Sequence, residues 1–237
     1  MIVKNDLFDY PKRYIFQDTD LFKFSLDSIL LAEFVRSHNI GNNIIDMCAG
    51  NMAIPLIITT YLTKHIIGFE IQKDVYELAK KSIEYNKLND ELTIINDDIK
   101  NIDVYYKSEF FDTMICNPPF FKLTNKERVN NSEKLSIARH EIAISLDDVF
   151  KICKKHLKNK GCLYLIQRAN RLDEIINLGY KYQLNVKEIQ LVSTKKGAKP
   201  SIVIIKAVKN SNSGVMVNVP LCVEGLKTYQ NIFKEGI

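Results

Sequence analysis

Two spacings of hydrophobic residues alternate along most of this chain. Apolar runs of about four to six residues predict buried strands, and the segments between them carry apolar residues every three or four positions, as amphipathic helices do. The clearest helical pattern covers residues 73–88, where Val75, Leu78, Ala79 and Ile83 share one face. This alternation predicts a parallel sheet with helices on both faces.

The pattern predicts seven strands and five helices. The strands are residues 43–50, 65–70, 92–97, 111–116, 161–167, 184–193 and 201–208. The helices are residues 24–35, 51–62, 73–88, 142–157 and 168–178. No helix fits between the last two strands, so they form an antiparallel hairpin. The predicted fold is α/β, a doubly wound and mostly parallel seven-stranded sheet that ends in this hairpin.

Three regions follow from this reading. Residues 1–40 form an N-terminal flap and helix that cover the ligand site, residues 41–209 form the core, and residues 210–237 form a tail. Within the tail, the segment from residue 217 to residue 223 predicts one added strand.

The composition is that of an ordinary globular protein. Of 237 residues, 46% are hydrophobic and 26% are charged, which suits one large α/β domain or a domain with a small appendage. The net charge of +5 and the isoelectric point near 8.8 are compatible with a nucleic-acid partner, and equally with a basic solvated surface.

The cysteines and apolar segments exclude several classes of protein. Five cysteines without a CxxC pair argue against a disulfide framework and a zinc site, so we expect no metal and a reducing cytoplasm. The N-terminus has no signal-peptide pattern, and the longest apolar run, residues 54–62, is too short to cross a membrane.

Acidic and small residues follow the first three predicted core strands. Ligands of open α/β sheets bind beyond the carboxyl ends of the strands. The segment DMCAGNM offers a tight turn there, and Glu70 follows Gly50 by 20 residues, a spacing that suits a ribose hydroxyl. Asp97 and Asp98 end the third strand. Together these residues favour a cofactor that contains adenosine, and the absence of a GxGxxG fingerprint disfavours NAD.

The segment NPPF at the end of the fourth strand suggests chemistry on an amine. The Asn117 amide oxygen and the Pro118 carbonyl can accept the N–H bonds of a planar amine and direct its lone pair toward a methyl donor. Phe120 offers a ring on which a base can stack. The alternative is an ordinary Asn-Pro turn.

The motifs NIIDMCAGNMAIPL, GFE, NDDI and CNPPF resemble those of Rossmann-like class I methyltransferases, which use S-adenosyl-L-methionine. The resemblance implies that Asp46, Cys48 and Gly50 line the methionine portion. The full set of cofactor residues that it implies is Ser25, Asp46, Cys48, Gly50, Asn51, Glu70, Ile71, Asp98, Ile99 and Asn117. Cys48 and Met52 stand where many such enzymes have glycine, and Met52 is the departure that argues for weak cofactor binding.

NPPF is similar to the [DN]PP[YFW] motif of enzymes that methylate adenine, cytosine, guanine or a protein glutamine. The segments FKFSLDSILLA and IARHEI resemble the bacterial tRNA1(Val) (adenine-N6)-methyltransferase family. That resemblance implies methyl transfer to N6 of adenosine 37 in tRNA, with Asn117, Pro118 and Phe120 as catalytic residues.

Basic side chains are the candidates for RNA contact, and they lie in two loops. They are Lys122, Arg139, His140, Lys195, Lys196 and Lys199. The last three belong to the turn TKKGAKP, which would project from the catalytic edge of the sheet; a merely solvated turn is the alternative.

Two other functions remain open at this point. The same core might act on an amine of ribosomal RNA or on a protein glutamine. In a different class, the chain would be an RNA-binding module with a decayed cofactor pocket. We expect tRNA as the partner and a monomer.

Overall fold

The structure is a computed structural model that describes residues 1–7, 10, 12–18, 26–118, 144–230 and 232–233. Its strands are β1 (Ile2–Asp6), β2 (Tyr14–Asp18), β3 (Ile44–Asp46), β4 (Ile66–Phe69), β5 (Leu92–Ile95), β6 (Phe111–Cys116), β7 (Leu157–Arg168), β8 (Leu184–Ser193), β9 (Ile202–Lys209), β10 (Met216–Val217) and β11 (Leu221–Cys222).

Its helices are α1 (Leu26–Arg36), α2 (Ala53–Ile58), α3 (Lys73–Tyr85), α4 (Leu146–His156) and α5 (Leu172–Lys181). Two 3-10 helices span Ile99–Val104 and Ala169–Arg171.

Within the described residues, the main sheet has nine strands. Seven of them follow the order β5-β4-β3-β6-β7-β9-β8, and the short strands β10 and β11 pair with β8. Strand β9 runs antiparallel to β7 and β8, and every other pair in this sheet is parallel. The predicted fold is therefore confirmed, and the tail widens the sheet.

The two faces of the sheet bury separate cores. Neighbouring residues of a strand point to opposite faces, so Ile44 packs with α1, α2 and α3, whereas Ile45 packs with α4 and α5. Strand β7 repeats this division, with Tyr164 in the first core and Leu165 in the second. Burial on both faces explains why these strands read as continuous apolar runs.

The N-terminal hairpin of β1 and β2 packs against α3. The Phe16 backbone N–H donates to Ser82 Oγ at 2.9 Å, and the Tyr14 N–H donates to Asn86 Oδ1 at 2.9 Å. The hairpin predicted for the first residues is therefore present, and it leads directly toward α1.

Three predicted helices have different bounds in the structure. Helix α4 starts at Leu146 because Ser145 and Asp148 form a reciprocal capping box, and it ends before Leu157, which pairs with Phe111 in the sheet. Helix α2 ends early, since the hydroxyl of Thr59 takes the Leu56 carbonyl. The predicted helix 168–178 begins at Leu172, because residue 168 still belongs to β7.

Met52 occupies a backbone conformation that favours glycine. Its φ is 67°, yet its side chain is completely buried, and a Cβ added at Gly68 would overlap its sulfur. The side chain thus fills the space that Gly68 leaves on β4, beneath the turn between β3 and α2. Met52 is a packing residue, and its side chain lies in the core.

This arrangement predicts an unusual order of stability for substitutions at Met52. Met52→Ala should lower the free energy of unfolding by about 2–4 kcal/mol, because it leaves a cavity. Met52→Gly should be less harmful by about 0.5–1 kcal/mol, because glycine accepts the positive φ without strain. Urea denaturation of the three proteins measures this order, and a glycine variant less stable than the alanine variant would contradict it.

Candidate active site

The crevice lies where the direction of chain progression reverses. Strand β3 pairs in parallel with β4 on one side and β6 on the other, so Asp46 lies opposite both Gly68 and Ile115. The loops after these strands leave in divergent directions and open a crevice at their carboxyl ends, the usual ligand site of such sheets.

The Glu70 carboxylate connects two loops of this crevice. Its Oε2 accepts the Gly50 N–H at 3.0 Å and its Oε1 accepts the Gln72 N–H at 2.8 Å. Gly50 itself has a φ of 53°, which the turn requires. A carboxylate can accept further hydrogen bonds on both oxygens, so this anchor can still bind hydroxyl groups.

Two acids of the crevice are strongly perturbed. Burial raises the pKa of Glu70 to about 7, although the backbone N–H groups of Gln72 and Gly50 oppose the shift. Burial also raises the pKa of Asp46 to about 7, and the negative charge of Glu70 adds to the effect. Such pairs of perturbed carboxyl groups are common at functional sites.

Unpartnered polar atoms lie at the turn between β3 and α2. Asp46 is completely buried, and neither of its carboxylate oxygens has a well-oriented hydrogen-bond partner among the described residues. Asn51 is also buried, and its Nδ2 lacks a partner in the same part of the chain. An uncompensated buried acceptor and donor are costly to the fold, so they fit a ligand that carries both an ammonium and a carboxylate group.

The third strand end forms the far wall of the crevice. Asn96 Nδ2 donates to the Glu70 carbonyl at 2.8 Å and so joins this wall to the Glu70 loop. Asp98 caps the following 3-10 helix by accepting the Lys100 N–H at 3.0 Å. Ile99 is buried, whereas Ile71 leaves 42% of its surface exposed.

The acceptor residues follow β6 directly. Asn117 is half-buried and Pro118 is buried, and Asn117 Nδ2 donates to Ser28 Oγ of α1 at 3.2 Å. On the same strand end, Cys116 Sγ lies 3.9 Å from Cys48 Sγ. Burial raises the pKa of the Cys116 thiol well above its usual range, which favours an unreactive thiol over a nucleophile.

The structure therefore joins the sites predicted on three strands. Asp46, Cys48, Gly50, Glu70 and Asn117 meet around β3, and Asp98 and Ile99 lie along the neighbouring wall. Five predicted site residues fall outside the described residues: Ser25, Phe120, Lys122, Arg139 and His140.

The lysine turn lies on the same edge of the sheet but apart from the crevice. Lys195, Lys196 and Lys199 are exposed between the end of β8 and the start of β9. Strands β7 and β9 separate this turn from β6, which corresponds to about 10–15 Å at the usual strand spacing. The Lys196 backbone N–H donates to Glu224 of the tail at 2.7 Å, which fixes the turn.

Two residues that shape the site escaped the sequence analysis. Ser28 contacts Asn117 from 89 positions away, and Asn96 holds the Glu70 loop. Asn96 precedes the acidic pair that attracted attention, and its place at a strand end was the available signal. Nothing in the local sequence distinguishes Ser28 from other helical serines.

Solved structures of methyltransferases share this fold. A protein from Agrobacterium tumefaciens described as a predicted O-methyltransferase superposes with a TM-score of 0.66 at 19% identity, over 86% of this chain and 91% of that chain. The strand order and the crevice thus define a Rossmann-like methyltransferase.

Sequence comparison narrows the class. A family model described as RNA methyltransferase matches residues 15–160, well over half of the chain, so this chain belongs to that family. The tRNA1(Val) (adenine(37)-N6)-methyltransferase of Aliivibrio salmonicida is 25% identical over 183 residues, 77% of this chain and 75% of that protein. The enzyme of the same name from Phocaeicola vulgatus is 22% identical over 205 residues, 85% and 83% of the two chains.

Among the described residues, no helix is long and apolar enough to span a membrane. That part of the chain also contains no group of three or more His, Cys, Asp or Glu side chains placed to hold a metal ion.

The buried Asp46 predicts a pH dependence of stability. Its pKa is near 4 in an unfolded chain and about 7 in the fold, so the folded state binds the proton more tightly. The free energy of unfolding therefore falls as pH rises from about 4 to about 7. Asp46→Asn removes this loss, so its stability relative to the wild type should rise by on the order of 2 kcal/mol between pH 5 and pH 8.

Urea denaturation at both pH values measures this change. Asp90→Asn, at an exposed position, is the matched control and should follow the wild type at both pH values. A stability difference between Asp46→Asn and the wild type that stays constant with pH would contradict the prediction.

Proposed function

We propose that this protein transfers a methyl group from S-adenosyl-L-methionine to N6 of adenosine 37 in tRNA. The observation that carries the proposal is the position of Asn117 and Pro118 directly after β6, beside the crevice that Asp46 and Glu70 line. The names of the two relatives supply the nucleotide and the position.

The crevice suits the cofactor at both ends. The unpartnered Asp46 carboxylate would accept from the ammonium of the methionine portion, and the unpartnered Asn51 amide would donate to its carboxylate. Glu70 would take the ribose hydroxyls on its remaining lone pairs. Asp98 and the exposed side chain of Ile71 would flank the adenine. When bound, the cofactor supplies an electrophilic methyl group on a sulfonium.

Met52 does not argue for a decayed cofactor pocket. Its side chain is completely buried beneath the turn, so it takes no space from a ligand at the surface of the crevice. The backbone of the loop still adopts the conformation that glycine would favour, with a φ of 67°.

The acceptor chemistry rests on hydrogen-bond acceptors and requires no strong base. Asn117 Oδ1 and the Pro118 carbonyl would each accept one N–H of the adenine amine, which draws its nitrogen toward a tetrahedral form. The lone pair then points at the methyl group. This is catalysis by positioning and by preorganised dipoles. Phe120 would stack on the base that leaves the helix or loop.

The lysine turn supports a nucleic-acid substrate. Lys195, Lys196 and Lys199 stand exposed on the catalytic edge, about two strand widths from Asn117, where they would contact phosphates near the target nucleotide. Lys122, Arg139 and His140 would extend this surface. A protein glutamine as the acceptor would make no use of such a cluster.

Asn117→Ala tests the acceptor site. It should lower the single-turnover rate of methyl transfer to tRNA by about 10²-fold or more, because one acceptor of the amine is lost. The affinity for S-adenosyl-L-methionine, measured by calorimetric titration, should change little. Asn89→Ala, at an exposed position, is the matched control. A large loss of cofactor binding instead would assign Asn117 a different role.

Replacing Lys195 and Lys196 together by alanine tests the RNA surface. The affinity for tRNA should weaken, and the slope of log K against log salt concentration should become shallower by about 1–2, because phosphate contacts are lost. Lys154→Ala with Lys155→Ala removes the same charge at the end of α4, on the opposite edge of the sheet. An unchanged slope in the first variant would exclude this turn from the RNA interface.

A further inference from the structure

Ser28 is the described partner of the Asn117 amide. Its Oγ accepts the Asn117 Nδ2–H at 3.2 Å. The residue lies in the first turns of α1 and is 6% exposed, between Asp27 and Ile29, which are also buried. Helix α1 packs against α2 and β7, so the serine is presented from a fixed element.

This contact decides which end of the amide faces the crevice. A carboxamide has an oxygen and a nitrogen of nearly equal size, and a half-turn about its last bond exchanges them. With the oxygen outward, Asn117 accepts from an amine; with the nitrogen outward, it presents a second donor to that amine. A partner that holds the nitrogen leaves the oxygen on the other branch of the group.

We propose that Ser28 is a positioning residue for methyl transfer, which holds the Asn117 amide with its oxygen toward the substrate amine. This inference rests on the proposed function, because it requires Asn117 Oδ1 to accept from that amine. Ser28 itself contacts neither the amine nor the methyl group. It acts by reducing the orientations of the amide that compete with the productive one.

Ser28→Ala should lower the single-turnover rate by about three- to tenfold, the usual effect of one neutral hydrogen bond. The affinity for S-adenosyl-L-methionine and the affinity for tRNA should stay within twofold of the wild type. Ser28→Thr keeps the hydroxyl and should restore most of the rate. Ser37→Ala is the matched control: it makes the same substitution at the end of the same helix, where Ser37 Oγ donates to the Phe34 carbonyl at 2.7 Å.

A double-mutant cycle separates positioning from other roles. In the Asn117→Ala background no amide remains to orient, so adding Ser28→Ala should lower the rate by less than twofold. An equal loss in both backgrounds would overturn the inference about Ser28 and leave the proposed function intact. A matching loss of cofactor affinity in Ser28→Ala would also overturn it, since Ser28 would then bind the cofactor. Full activity in Asn117→Ala would overturn the proposed function itself.

Discussion

The parallel pairing of β3 with both β4 and β6 is the constraint on which the site depends. Because β3 lies between these two strands, the turn after it is held beside Glu70 on one side and beside Asn117 on the other. The Glu70 carboxylate then fixes the turn through the Gly50 amide. Cofactor and acceptor residues that are separated by up to 71 positions, from Asp46 to Asn117, thus share one edge of the sheet.

The crevice retains polar groups that the fold alone does not satisfy. Asp46 is completely buried without a well-oriented partner among the described residues, and both it and Glu70 have a pKa near 7. Unpaired carboxyl groups lower stability, so their retention fits a site shaped for a ligand. The packing of Met52 against Gly68 supports the turn from below and compensates for part of this cost.

Local pattern predicted most of the architecture, and long-range contacts limited the rest. Strands β6 and β8 match their predicted bounds, because each apolar run is delimited by polar residues or turns. The prediction extended a helix through residue 157, since only tertiary pairing with Phe111 makes Leu157 a strand residue. The direction of β10 and β11, parallel to β8, and the contact of Ser28 with Asn117 depend on chain segments far apart in sequence.

The account makes one central claim, that the amine held after β6 is N6 of adenosine in tRNA. Mass spectrometry of nucleosides from the tRNA of a strain lacking this protein tests the claim most directly, with the gene restored as the reference. The account predicts that N6-methyladenosine at position 37 of the valine tRNA disappears and returns with the gene. Unchanged N6-methyladenosine in that tRNA, or loss of a different methylated nucleoside, would contradict it.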